Sequence, residues 1–214
     1  MTMNRTLCYV LSLLTGSVSI SESQLIRTYG LKIGVASTNQ TWDWTTQSGI
    51  VANSTAQQGF DAGVYAEWLD MPLLSISTEI HYIQKGSDVK TNIVVTTEDH
   101  PDGTGQFYRY STRVSYLSIP VLAKLRLTWG SLTPFLLLGP RFDFYLSGNG
   151  PFSSRETNKD TFGGTIGGGV EIVSILPLRI GAECRYSPTF QNSYSVQSLT
   201  TKNSSMEFLL VLSY

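Results

Sequence analysis

After residue 20 the chain has no apolar run near the roughly 20 residues that a membrane helix requires. Charged side chains are only 14% of the sequence, well under the usual share of about a quarter. The 15 Lys and Arg nearly cancel the 16 Asp and Glu, so there is no general electrostatic pull toward nucleic acid. Two histidines, His81 and His100, offer little for acid–base chemistry or metal binding. No Ser-His-Asp or metal-ligand spacing emerges. A phosphate loop is excluded around Gly163, Gly167 and Gly169, because neither Lys-Ser/Thr nor a helix start follows them. The sequence therefore offers no catalytic residue, no metal ligand and no cofactor site.

What is present begins with an export pattern. Arg5 precedes an apolar stretch from Leu7 to Ile20, and Ser17, Ser19, Ser21 and Ser23 supply small residues for processing. This predicts a signal peptide over 1–23, cut between about residues 19 and 24, and one domain over 24–214. Cys8 falls inside the leader without the small residues that precede a lipid-attachment cysteine. Cys184 would then stand alone, without a disulfide, as a passive strand residue.

Period-two alternation dominates the rest. It predicts strands over 29–37, 59–69, 73–84, 115–128, 132–147, 161–173, 176–187 and 205–214, most of them meeting the roughly 9–11 residues of a tilted transmembrane strand. One face is apolar: Leu31, Ile33 and Val35, then Val64, Ile76, Ile80, Leu125, Leu136, Leu138, Ile166 and Ile180, and finally Met206, Phe208, Leu210, Leu212 and Tyr214. The other carries Lys32, Asp61, Glu67, Glu79, His81, Lys124, Arg126, Arg141, Asp143, Glu171, Arg179, Glu183, Arg185 and Glu207. A Lys or Arg turned into mid-bilayer lipid costs about 2–4 kcal/mol, so the charged face must line an interior.

Connections alternate in length. Those at 70–72, 129–131 and 174–175 are short; those at 38–58, 85–110, 148–160 and 188–204 are long. Short periplasmic turns and long external loops characterise outer-membrane barrels. The expectation is an all-β, eight-stranded antiparallel up-and-down barrel in outer-membrane lipid, monomeric, with both termini periplasmic. Tyr82, Tyr145, Tyr186 and Phe162 would form one aromatic girdle, and Trp68, Trp129 and Tyr214 the other. A soluble barrel with an apolar ligand cavity is the alternative, but it leaves the girdles and the loop asymmetry unexplained.

An eight-stranded interior is just filled by side chains. Six Lys and Arg face seven carboxylates there, which reads as a salt-bridged plug rather than a pore. Pairing about the short turns sets Glu171 opposite Arg179 and Asp61 opposite His81. The glycines at 163, 167 and 169 make room for Arg and Tyr side chains from other strands. Pro120 and Pro140 fall at nearly the same height on adjacent strands, where missing donors make a weak seam. Outside, 90–97 and 105–110 flank a turn at Pro101-Asp-Gly103. They predict a hairpin over 85–111 that projects beyond the bilayer as a site for a protein partner. Phe107, Tyr108, Arg109 and Tyr110 form its candidate contact patch, and His100 reads as part of the turn.

Several segments resemble the PorT-like outer-membrane β-barrel family of Gram-negative envelopes. They are Tyr82-Ile-Gln-Lys-Gly86, Tyr116-Leu-Ser-Ile-Pro-Val-Leu-Ala-Lys124, Gly139-Pro140-Arg141 and Gly167-Gly-Gly-Val-Glu171. Tyr186-Ser-Pro-Thr-Phe190 departs from the pattern in lacking a glycine. The resemblance implies an integral eight-stranded barrel and says little about activity. A structural or surface-binding role is expected. A component or narrow channel for envelope transport, or a lipid-modifying barrel enzyme, are the alternatives.

Overall fold

Alternating segments leave every backbone donor and acceptor to be satisfied by a neighbouring strand, and in lipid only closure of the sheet satisfies them all. The computed structural model describes residues 26–44, 53–69, 71–97, 100–149, 159–173, 178–192, 194–196 and 199–214. The expected signal peptide and its cleavage site lie outside these residues. The strands are β1 (Ile26–Trp44), β2 (Asn53–Trp68), β3 (Leu74–Thr97), β4 (His100–Arg126), β5 (Leu132–Asn149), β6 (Asp160–Val173), β7 (Arg179–Pro188), β8 (Tyr194–Val196) and β9 (Leu199–Ser213). Neighbours run antiparallel in the order β1-β2-β3-β4-β5-β6-β7-β9, and β1 pairs with β9 to close the wall. The result is the expected eight-stranded up-and-down barrel. The three-residue β8 is an addition: it pairs with Leu199–Thr201 of β9, beyond the point where β7 leaves that strand.

Closure depends on a close approach. At Gly34, opposite Leu209, an added Cβ would stand 1.9 Å from the carbonyl oxygen of Phe208. At the same end of the chain's path, Tyr29 and Tyr214 exchange backbone hydrogen bonds of 3.2 and 2.9 Å.

The two rims differ. At the short-turn rim, β4 and β5 join through Gly130 and Ser131, clamped by Trp129–Leu132 hydrogen bonds of 2.8 and 3.1 Å. At the other rim several strands run further than alternation alone suggested. β2 stays with β3 as far as Asn53 opposite Lys90, and β5 stays with β4 as far as Asn149 opposite Arg113. Beyond those points β3 and β4 continue with each other, to Thr97 opposite His100. The hairpin therefore projects by roughly 20 Å at about 3.3 Å per residue. Its tip lies between Thr97 and His100, so Pro101, Asp102 and Gly103 belong to β4 and not to a turn. Polar runs such as Lys90-Thr-Asn and Arg109-Tyr-Ser carry no burial signal, so only cross-strand pairing defines them as strand.

The prolines interrupt the ladders where expected. Pairing between β3 and β4 skips Glu79 and Ile80 against Ile119 and Pro120; pairing between β4 and β5 skips Val121 and Leu122 against Gly139 and Pro140. Both gaps flank β4 at one level because proline has no N–H to give.

The outer wall is apolar. Leu31, Val64, Leu125, Leu136, Leu138, Ile166, Ile180 and Leu210 are each half or more exposed, a continuous greasy surface that suits acyl chains and not water. Trp129, 81% exposed, and the Tyr29–Tyr214 ring pair border it at the short-turn rim. Phe142, Phe162 and Phe190 stack in sequence at the long-loop rim, with centroids 5.1 and 5.8 Å apart. Tyr145 is a correction: it shares the inward parity of Arg141 and Asp143 and packs against Tyr116, away from the girdle.

Gly34→Val should block the β1–β9 approach. In unboiled electrophoresis, the fraction migrating as the compact barrel should fall by more than half; undiminished compact material would contradict this account of closure.

Candidate functional site in the barrel interior

The fourteen charged positions read from parity all turn inward. Thirteen are buried; Arg179, at the short-turn rim, is half-buried. They occupy three levels, each tying together strands that are not neighbours.

Nearest the short turns, Lys124 Nζ donates to Glu67 at 2.5 Å and also to Glu171. Arg126 Nη2 donates to the other Glu67 oxygen at 2.6 Å and to the Ser75 hydroxyl. At mid-height Glu79 is the hub. Its Oε1 accepts from Lys32 at 2.8 Å, Arg185 Nη2 at 2.9 Å and Ser77 at 2.9 Å; its Oε2 accepts from Arg185 Nη1 at 2.7 Å and His81 Nε2 at 2.9 Å. Lys32 also reaches Glu183 at 2.9 Å, and Arg185 Nε donates to the same carboxylate. His81 Nδ1 lies 2.7 Å from Asp61 Oδ1. With a carboxylate at each ring nitrogen, this setting suits a doubly protonated imidazole. Nearer the long loops, Lys85 donates to Asp143 at 2.5 Å. Arg141 bridges Asp143 at 2.9 Å and Glu207 at 2.5 Å.

Each level also places a lysine over an inward aromatic ring: Lys124 over Phe135 at 4.3 Å, Lys32 over Tyr65 at 4.7 Å and Lys85 over Tyr116 at 5.3 Å. Such contacts strengthen where water is excluded. Apolar groups fill the remaining space, with Leu122, Phe135 and Leu137 in one cluster and Ala36, Ile83 and Tyr116 in another. The glycines of β6 make the room expected of them, though for a phenylalanine and an arginine: a Cβ at Gly169 would meet Phe135 Cζ at 2.6 Å, and one at Gly167 would meet Arg185 Cγ at 3.0 Å. Toward the long loops, the Thr38 hydroxyl donates to the Gly86 carbonyl and accepts from the Gly86 N–H, both at 2.8 Å. That pair links β1 directly to β3 across β2.

Two expected pairings differ by two residues in register. Gly181, not Arg179, stands opposite Glu171, and Arg179 faces Val173; Glu171 takes Lys124 instead. The cause is a longer β6–β7 connection than the two residues assumed, which moves β7's start from 176 to Arg179. Ile83 stands opposite Asp61, but the Asp61–His81 contact survives as a diagonal. The expected interior set omits Lys85 because the expected third strand ends at Gln84. The inward parity of 79, 81 and 83 extends to it directly.

Phe107, Tyr108, Arg109 and Tyr110 lie in β4 opposite Asn92, Thr91, Lys90 and Val89 of the projecting hairpin. His100 opens β4 and stands far from the interior His81. Cys184 is on the exposed outer face. Among the described residues no group of His, Cys, Asp and Glu is arranged to hold a metal ion.

A closed antiparallel barrel with an apolar exterior and a charge-paired interior is the form of a transmembrane barrel of the outer membrane. The chain belongs to the family described as outer membrane protein beta-barrel domain, whose model matches residues 21–195. No curated protein matches the chain. Among solved structures it is similar to Ail, the attachment invasion locus protein of Yersinia pestis, in complex with the heparin analogue sucrose octasulfate. The TM-score is 0.44 at 11% identity, covering 87% of this chain and 98% of that one. It is also similar to Neisserial surface protein A, with TM-score 0.41, 12% identity, and 86% and 97% of the two chains covered. The outer membrane protease OmpT from Escherichia coli gives TM-score 0.48, 9% identity, and 92% and 98% covered.

Removing one partner of a buried ion pair strands the other and costs about 3–5 kcal/mol. Glu79→Gln should lower unfolding stability in urea by that order, whereas Lys202→Gln, exposed on β9, should change it by less than about 0.5 kcal/mol. Equal effects from the two would reject Glu79 as the hub.

Proposed function

We propose that this chain is a plugged outer-membrane barrel with a structural and surface-binding role, whose working element is the projecting β3–β4 hairpin. The observation that carries this reading is the ladder from Thr91 opposite Tyr108 to Thr97 opposite His100, which has no other strand beside it among the described residues. An unpaired edge of that length offers backbone donors and acceptors to a protein partner. The reading includes a signal peptide over 1–23, both termini on the periplasmic side, a monomer in the membrane, and membership of the PorT-like group within the family.

Burial supports the plug. Lys32, Glu79, Glu183 and Arg185 are each at most 4% exposed, so the charges that would line a pore face one another instead of water. The same burial weighs against the narrow-channel alternative.

Two measurements test the proposal. Deleting residues 92–108 should leave insertion and compact electrophoretic mobility unchanged, yet abolish protein capture by membrane-reconstituted chain; capture equal to that of the full chain would reject the hairpin as the contact element. In planar bilayers the full chain should give no conductance steps, and steps of a defined size would reject the plug.

A further inference from the structure

Among the described residues, the short-turn mouth gathers more Lys and Arg side chains than Asp and Glu. Arg27 of β1, Arg126 at the end of β4 and Arg179 at the start of β7 come to this rim from three strands. Lys124 lies one inward position deeper. Of the fourteen interior positions, only Glu67 and Glu171 offer carboxylates at this level, and Lys124 already engages both. Arg27 and Arg179 act on Arg126 as repelling charges.

Arg126 is the second, independent sign. It is 3% exposed, and its Nη2 is committed to Glu67 and Ser75. Its Nε and Nη1 are buried with no acceptor among the described residues. A buried guanidinium with two unmet donors is a costly arrangement, and it differs from Arg141 and Arg185, whose carboxylates sit on either side. Arg27 Nη1 donates to the Met71 carbonyl at 2.9 Å, which holds that side chain over the mouth. Arg179 has no ion-pair partner among the described residues and is half-buried, so it is reachable from the aqueous side.

We propose that Arg126, Arg179 and Arg27 form an oxyanion site at the short-turn mouth, suited to a phosphate group, whether free or carried on a lipid headgroup. Guanidinium forks match the spacing of phosphate oxygens, and charge-assisted bonds to phosphate are the strong kind. A dianion held by three guanidinium groups would supply acceptors to the unmet Arg126 donors and offset the mutual repulsion. The site lies at the opposite end of the barrel from the hairpin, so it stands or falls independently of the surface-binding reading.

The test uses the full chain folded in maltoside micelles, which contain no phosphate. Inorganic phosphate is titrated calorimetrically at constant ionic strength, and short-chain phosphatidylglycerol is added in a parallel series with the thermal unfolding midpoint as readout. Saturable binding in either series is expected. Arg179→Gln, which leaves the Glu67 pair intact, should weaken it at least tenfold, while Lys202→Gln at the far rim should leave it unchanged. Arg126→Lys, which keeps a charge beside Glu67, should also weaken it, with compact mobility confirming that each variant folds. Binding of phosphatidylglycerol alone identifies a lipid headgroup as the source; binding of inorganic phosphate shows that the free ion suffices. No saturable binding in either series, or equal binding by Arg179→Gln, overturns the site.

Discussion

Glu79 gathers Lys32 from β1, Arg185 from β7 and His81 from its own strand, and the charges of the other two levels are likewise arranged around a shared carboxylate, Glu67 or Asp143. The constraint behind this is width. Eight strands enclose a cylinder that side chains fill, so an ion that points inward has no bulk water to return to. It must meet a counter-ion, either two residues along its own strand, as Arg141 meets Asp143, or from across the barrel. Lys32 spans to both Glu79 and Glu183, and Arg141 reaches from β5 to Glu207 on β9. These links cross the lumen and tie distant strands together, and in lipid they do part of what an apolar core does in a soluble fold.

The same constraint separates the two ends. In the middle, each guanidinium and ammonium is matched, and the lysines gain a ring beneath them. At the long-loop rim the filling gives way to hydroxyl bridges, as between Thr38 and Gly86, and the wall rises on two ladders, β3 with β4 and β1 with β9. At the short-turn rim the matching is incomplete among the described residues, with the Nε and Nη1 of Arg126 unmet and the Arg179 side chain in no ion pair.

Much of this was legible in the sequence because lipid sorts residues more strictly than water does. The parity of Leu31, Ile33 and Val35 against Lys32 is enough to turn the wall the right way, and every charge assigned inward by that rule points inward. Pro120 and Pro140 announced their gaps because a missing N–H is a covalent fact. Register is less legible: the sequence places Arg179 two residues too far into the barrel, since the length of the β6–β7 connection leaves no mark in the composition. Lys85 was lost for a related reason, as a polar run after Gln84 looks the same in a strand as in a loop. Inward rings such as Tyr65, Tyr116 and Phe135 share the parity of the charges, but parity alone does not say that each would lie beneath a lysine.

The sequence by itself determined the barrel, its strand number and which face meets lipid, because these follow from a two-residue period and the cost of charge in hydrocarbon. Only the tertiary structure decided which charges meet, how far β3 and β4 run past the rim, and that Arg126 ends at the short-turn rim with two donors unmet among the described residues. Partners across a cylinder depend on stagger and closure. Those are set by β1 meeting β9 at one register, a relation between residues nearly the whole chain apart.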